Sequence, residues 1–467
     1  MFIVSLILLG LSLTLPFSSS LELLSVLIQH NLLTTSCLFL YITCIYTWCR
    51  NGNRVLSLFN LFVLYSCFSN LGQSILYMFN IPVEFLSLYE FSSLQDINSM
   101  LIFQCQCIAG LNLGAALYLR KPSRIISVGQ LSNKYSTICQ TYHSSDTDSL
   151  LKFLYVISTA VVFYYAFKML LIRQHVDYGT FYQEQASWGN IITDLFTLLY
   201  AVLSIYYFSK KRYLILTTSM NILLVLIFMI VGARSVSLRY LCLLIITIPI
   251  IYPSIFKKRY LPVWIFAFLL FMGFLSAISS ARTSSLASSS IQFSSGLLSG
   301  VYESVSEMGM SARTSVLTMQ AVDMGFPHHQ TILVTIINAF VPFVSSLPFL
   351  ESQSMVCSEW ISSYANSYHS GLGYSFIAEM YLNFGWMGWM FMILYGYFIS
   401  FAENYSFKHI FDRRNVLPLL LLSFLSRQVF YARAEFAIIS GTLRILFYFA
   451  ILVYIWRLLK SSRYVRY

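Results

Sequence analysis

Apolar residues in this chain come in blocks of about 17 to 25, the length an α-helix needs to cross a hydrocarbon core of about 30 Å. A helix satisfies its own backbone polar groups, so such a block can lie in lipid where an exposed loop or an open sheet edge cannot. The 467 residues are 58% hydrophobic, 17% aromatic and only 10% charged. Soluble domains carry about 25% charged residues, so the pattern excludes an ordinary water-soluble protein. It predicts an all-α fold, a polytopic transmembrane helical bundle of about twelve spans, organised as a single integral membrane domain over 1–467. The expected spans lie near residues 2–17, 32–49, 55–79, 98–119, 153–172, 189–208, 213–231, 238–256, 260–280, 372–401, 416–431 and 436–457. The opening FIVSLILLGLSLTLPF lacks a basic leader and a small-residue cleavage site, so it is expected to be a retained helix.

Basic clusters set the orientation, because short loops rich in Lys and Arg stay cytoplasmic. The clusters are Arg50 with Arg54; Arg120, Lys121, Arg124 and Lys134; Lys152; Lys210 to Arg212; Lys257 to Arg259; Lys408, Arg413 and Arg414; and Arg457 to Arg466. All fall on one side of the expected topology, which puts both termini in the cytoplasm. The net charge of +11 is thereby a topology signal; nucleic acid is not a partner, since its recognition needs a basic stripe on a folded soluble face. Of nine cysteines, Cys357 alone falls in the large outer loop, and no CxxC or Cys/His metal spacing occurs.

That loop runs from about residue 281 to 370, far longer than the usual connection, and loops of such length tend to carry function. It opens Ser-rich. Its middle holds an apolar piece, Thr331 to Leu350, interrupted by Pro342 and Pro348. A further span there would invert every later basic cluster, so a re-entrant or interface-lying segment is expected.

The basic residues left off the inner face are Lys168 and eight arginines: Arg173, Arg234, Arg239, Arg282, Arg313, Arg427, Arg433 and Arg444. The planar guanidinium grips phosphate or carboxylate through two parallel hydrogen bonds, whereas Lys is a mobile point charge. Four of the arginines stand among small neighbours, in GARS, SARTS twice and YARAE, which leaves room for an anionic head group. Each such match alone is as readily an ordinary helix end. Arg427 and Arg444 fall inside apolar spans, where an unpartnered charge costs about 2.5–3.5 kcal/mol on insertion scales. In GLGYSFIAEMYLNFGWMGW, beginning at Gly371, the spacing of Ser375, Glu379 and Asn383 puts one polar stripe on a helix. Glu379 is either a buried partner for Arg427 or Arg433 or a general base. His369, just before this helix, is placed to exchange a proton at the outer mouth. His328 and His329 lack the spacing of a helical metal site and are expected to be solvated loop residues. No P-loop, GxGxxG or GxSxG is present, which removes nucleotide-driven and serine-hydrolase chemistry.

The run from Gly371 to Trp389 resembles the signature of O-antigen polysaccharide polymerases of the Wzy type. So does the order of parts: GARS in a short outer turn, a large late outer loop with EMGMSARTS from Glu307 to Ser315, that run, and then YARAEF. The resemblance reaches from Gly232 to Arg444. It implies a GT-C-like membrane glycosyltransferase that joins oligosaccharide repeat units carried on undecaprenyl pyrophosphate, at the outer face of the bacterial inner membrane. A pyrophosphate leaving group requires fixed positive charge and an acceptor base, with no cofactor and no obligatory metal. On that basis Arg234, Arg282, Arg313 and Arg433, then Arg239 and Arg427, are expected at the pyrophosphate or donor sugar. Glu379 and His369, then Glu435 and Glu307, are the expected bases; one displacement at the anomeric carbon would invert it. A chain-length regulator protein is an expected partner. A flippase for the same lipid-linked sugar, and the ligase that moves finished polymer onto a lipid core, are the competing readings.

Overall fold

The computed structural model describes residues 2–15, 24–50, 56–83, 87–120, 146–176, 191–208, 214–251, 297–341, 357–365, 373–409, 417–437, 441–448, 450–451 and 454–455. All regular structure among them is helical. In chain order the helices are α1 (Phe2–Thr14), α2 (Val26–Arg50), α3 (Leu58–Met78), α4 (Leu88–Phe91), α5 (Leu94–Leu119), α6 (Asp146–His175), α7 (Ile191–Phe208), α8 (Leu214–Val231) and α9 (Arg234–Ile251). They continue as α10 (Leu297–Gly309), α11 (Ser311–Asp323), α12 (Thr331–Phe340), α13 (Cys357–Tyr364), α14 (Phe376–Phe384), α15 (Gly388–His409) and α16 (Leu417–Gln428).

Among the described residues four stretches are long and apolar enough to cross a membrane: Val26–Arg50, Leu94–Leu119, Lys152–His175 and Phe376–His409. Shorter apolar helices accompany them, as a multi-pass membrane protein requires. The span expected near 260–280 lies outside the described residues. In α5, 89% of the apolar window is buried, against 22% in α6. The first is the central post of the bundle; the second turns most of its surface outward.

Small residues bring α5 and α15 to backbone contact. A Cβ on Gly110 would lie 2.5 Å from the Trp389 carbonyl oxygen, one on Gly114 would overlap the Ile393 carbonyl, and one on Gly396 would overlap that of Leu111. Lipid tails are as apolar as Leu, so close van der Waals packing has to drive helix association. Polar side chains add to it: Gln104 on α5 donates to the Tyr41 hydroxyl at 2.9 Å, and Tyr41 pairs with Ser66 at 2.9 Å, joining α2, α3 and α5.

The two ends of the bundle differ. At the end where α3 begins and α15 finishes, Ser57 caps α3 through the Asn60 N–H at 3.0 Å. Glu403, from α15, accepts the Leu58 and Phe59 N–H groups at 3.3 and 2.9 Å. First-turn N–H groups have no partner within their own helix, and a carboxylate also suits the positive end of the dipole. Arg50 and Lys408 stand at this end, as the common sidedness of the basic clusters requires. At the far end α3 closes with Asn80 in the left-handed region (φ 54°), the Ile81 N–H reaching back to the Leu76 carbonyl at 2.9 Å.

The far end carries α10 to α14. Where described, the expected outer loop is thus a set of short helices. The Gln73 side chain of α3 donates to the Ser306 carbonyl of α10 at 3.1 Å and accepts the Leu88 N–H of α4 at 2.8 Å. Helix α12, with ten residues, is about 15 Å long and too short to cross; residues 342–350 of the same apolar piece lie outside the described residues. The span expected over 372–401 falls within the apolar stretch Phe376–His409 but is not one continuous α-helix. At Gly385 the backbone takes φ +54°, a 3-10 turn follows over Gly385–Met387, and α14 and α15 are separate helices. Hydropathy alone reads the stretch as unbroken because the interrupting residues are Gly385, Trp386 and Met387, none of them charged.

Gly114→Val should cost about 3 kcal/mol through overpacking and remove folded protein from the membrane fraction, measured by detergent-resistant fluorescence of a fused reporter. Gly10→Val, where a Cβ meets nothing within 4 Å, should leave that signal unchanged.

Candidate functional site

Helix α14 starts with its own cap. The Ser375 hydroxyl accepts the Ala378 N–H at 3.2 Å and pairs with Ser315 of α11 at 2.8 Å; beside it Thr318 meets the Tyr374 hydroxyl at 3.1 Å. One turn further on, Glu379 is 1% exposed. One carboxylate oxygen accepts from the Thr331 hydroxyl at 3.1 Å. The other accepts from the Tyr431 hydroxyl at 3.0 Å and from the Phe436 backbone N–H at 2.7 Å. Another turn on, the Asn383 amide donates to Thr331 Oγ1 at 2.9 Å and to the Glu379 carbonyl at 2.8 Å, while its oxygen accepts the Ile332 N–H at 3.0 Å. The stripe of Ser375, Glu379 and Asn383 is a fastening that joins α11, the start of α12 and the segment 429–436 to one face of α14. None of the Glu379 carboxylate's partners among the described residues is Arg427 or Arg433.

Ending α14 at Gly385 strands its last carbonyls. The turn 325–330 satisfies them: the His329 N–H and His328 Nδ1 both contact the Leu382 carbonyl, at 3.2 and 3.0 Å, and the Gln330 amide donates to the Asn383 carbonyl at 3.1 Å. Both histidines lie in a loop, as expected, with His328 exposed and His329 half-buried, and both are docked on the end of α14. Burial, and then the neighbouring His328, hold the His329 imidazole below its ordinary pKa.

The predicted arginines separate by environment. Arg313 lays its guanidinium over the Phe91 ring, 3.7 Å from the centroid, and its Nε has no hydrogen-bond partner among the described residues. Phe91 can serve as a floor because α4 is pinned: Gln73 holds its first N–H, and Tyr89 bonds His30 Nε2 at 3.0 Å while His30 Nδ1 faces Asn98 at 3.0 Å. Arg433 ends the 3-10 turn Val429–Arg433, which is held from below by the Asn70 amide on the Ala432 carbonyl at 3.3 Å and from the side by Tyr431 on Glu379. Arg239 is buried on α9 and Arg427 half-buried on α16, each engaged within the fold. Arg444 is exposed and donates to the Asn338 carbonyl of α12 at 3.1 Å. Gly232 takes φ 92°, so GARS is the expected turn and Arg234 the first residue of α9. Arg282 and His369 lie outside the described residues.

Two predicted carboxylates are likewise placed. Glu435 accepts the Cys357 and Ser358 N–H groups at 2.6 and 3.4 Å and so caps α13. Glu307 is half-buried on α10. The small residues beside Arg313 do not open room for a head group as expected: Ala312, Thr314 and Ser315 are buried, part of the packing of α11 against its neighbours.

A family profile described as O-antigen polysaccharide polymerase Wzy matches residues 1–462, nearly the whole chain. The chain belongs to that family. Neither the curated proteins nor the solved structures contain a significant match. Membership of the Wzy family makes the protein a membrane glycosyltransferase-like polymerase acting on lipid-linked oligosaccharide in O-antigen synthesis. Within that Wzy chain, sequence reasoning missed Thr331, Tyr431 and Phe91. Only Tyr431 carried a usable signal, being a hydroxyl in the YARAEF run beside an already suspected arginine.

Replacing Glu379 by Ala strands the Tyr431 hydroxyl and the Phe436 N–H, at about 1–3 kcal/mol each, and should lower the melting temperature in detergent sharply. Glu379→Gln keeps an acceptor and should fall between Glu379→Ala and the natural protein; equal melting of all three would remove the fastening role.

Proposed function

We propose that the protein extends O-antigen, or a similar surface polysaccharide, at the outer face of the inner membrane. The growing chain moves from undecaprenyl pyrophosphate onto a sugar hydroxyl of the next lipid-linked repeat unit. The observation that carries this reading is the pair Arg313 and Arg433. Both are mounted on segments packed against α14, at the bundle end opposite Arg50 and Lys408, and neither has a carboxylate partner among the described residues. Fixed guanidinium groups left unneutralised suit an anion that arrives with substrate.

In the reaction the bond between the donor's anomeric carbon and the phosphate oxygen breaks as the acceptor oxygen bonds to that carbon. The hydroxyl proton passes to a base, and lipid pyrophosphate leaves as an anion. Arginines supply the charge stabilisation by preorganised electrostatics, so the chemistry needs no metal. Arg234 and Arg282 join Arg313 and Arg433 in this assignment, with Arg239 and Arg427 behind them. Glu379 and Glu435 already use their carboxylates on buried donors, which favours His369 as the base, with Glu307 next. In-line attack inverts the anomeric centre. The apolar piece from Thr331 to Leu350 holds the polyprenyl tail, both termini are cytoplasmic, and a chain-length regulator acts on the complex.

Deleting the gene in its host and separating surface polysaccharide on a gel tests the function. The expected result is loss of the ladder with single repeat units still attached to their acceptor, restored by the gene on a plasmid. Loss of every repeat unit, with lipid-linked material retained, would instead mean flippase or ligase. Arg313→Lys and Arg433→Lys should each cut polymer by about 10- to 100-fold at normal protein levels, since Lys keeps the charge without the fork. Polymerisation by the purified protein should continue in EDTA.

A further inference from the structure

The turn that closes α11 does more than cap α14. Gly325, at φ +95°, sends its N–H to the Val322 carbonyl at 2.9 Å, and the Phe326 N–H reaches the Ala321 carbonyl at 3.1 Å. In this helix-ending motif the residue after the glycine usually folds back as an apolar contact. Phe326 is instead 44% exposed. Its ring stands edge-on to Trp360, at 6.4 Å and 76°, and to Tyr364, at 5.5 Å and 82°.

Polar groups rim these rings. Asp323 is exposed and accepts from the Tyr381 hydroxyl at 3.2 Å. The His329 ring lies 6.3 Å from that of Trp360, and its Nδ1 is buried with no hydrogen-bond partner among the described residues. We propose that Phe326, Trp360 and Tyr364, rimmed by Asp323 and His329, form a glycan subsite that stacks a pyranose ring of the lipid-linked oligosaccharide; this rests on the polymerase reading above.

A pyranose has a face of C–H groups and a perimeter of hydroxyls, which asks for aromatic surface at the centre and acceptors and donors at the edge. Ligand sites are commonly built so, from apolar and aromatic walls with a few placed polar groups. Continuity with the candidate site selects the glycan as occupant. His329 is two residues before Thr331, which holds Glu379, and the same turn caps α14. Lipid contact would call for no carboxylate and no orphaned imidazole nitrogen. Trp386, in the 3-10 turn just before the spanning helix α15, is by contrast placed as an interface anchor.

The test uses the full-length protein in proteoliposomes with lipid-linked repeat units from its own host. Phe326→Leu should raise the acceptor KM about tenfold with kcat little changed, and Phe326→Tyr should restore it. In parallel, single repeat units cleaved from the host's polysaccharide should change the tryptophan fluorescence of the natural protein and not that of Trp360→Phe. Unchanged KM in Phe326→Leu together with identical fluorescence responses would overturn the proposal, as would quenching of Trp360 by brominated phospholipid. If the natural protein makes no polymer, the polymerase reading falls, and the fluorescence titration still decides the subsite.

Discussion

A carboxylate inside an apolar bundle has to be surrounded by donors, and the end of the bundle that carries α10 to α14 is arranged around meeting that need for Glu379. Thr331, Tyr431 and the Phe436 N–H come from two parts of the chain far apart in sequence, and each is fixed by the bond it makes. Buried hydrogen-bond networks of this kind are stiff when every member is satisfied and costly when one is not. The site therefore inherits its rigidity from a residue whose own oxygens are occupied. Arg433 sits two residues past Tyr431 in the same 3-10 turn, so its backbone position depends on the bond from Tyr431 to Glu379.

The break at Gly385 belongs to the same economy of polar groups. A helix can stop inside a packed bundle only where protein accepts or supplies the freed bonds. The turn 325–330 does so through His328, His329 and Gln330, which locks the end of α11 to the end of α14. Helix α14 is thereby held at both termini and along one face, while α15 is free to pack through its glycines on α5. The break thus separates a set of short helices, tied together by side-chain and backbone bonds, from the long helix α15.

Hydropathy made the all-helical, multi-pass character of the chain legible in the sequence alone. The periodicity of Ser375, Glu379 and Asn383 likewise marked the correct face of α14. Other features had no such signal. The floor beneath Arg313 is Phe91, separated by more than two hundred residues and brought there by Gln73 and His30. No local pattern announces a contact between a four-residue helix and a distant arginine. Small residues beside Arg313 were ambiguous for a physical reason: the same Ala, Ser and Thr that admit a ligand also admit another helix, and here the second use prevails.

The distribution of charge follows from how the carboxylates are used. Glu403 accepts the first N–H groups of α3, Glu435 those of α13, and Glu379 an N–H at the end of the 429–436 segment. In all three a carboxylate is directed at backbone N–H groups, where negative charge stabilises a terminus. An acid paired with Arg433 or Arg313 would offset the positive charge of the guanidinium. Arg313 is steadied by an aromatic face instead, which orients the cation and leaves its charge intact. Arg313 is thus held by a neutral contact, and a cation held in that way keeps its full charge for an anion.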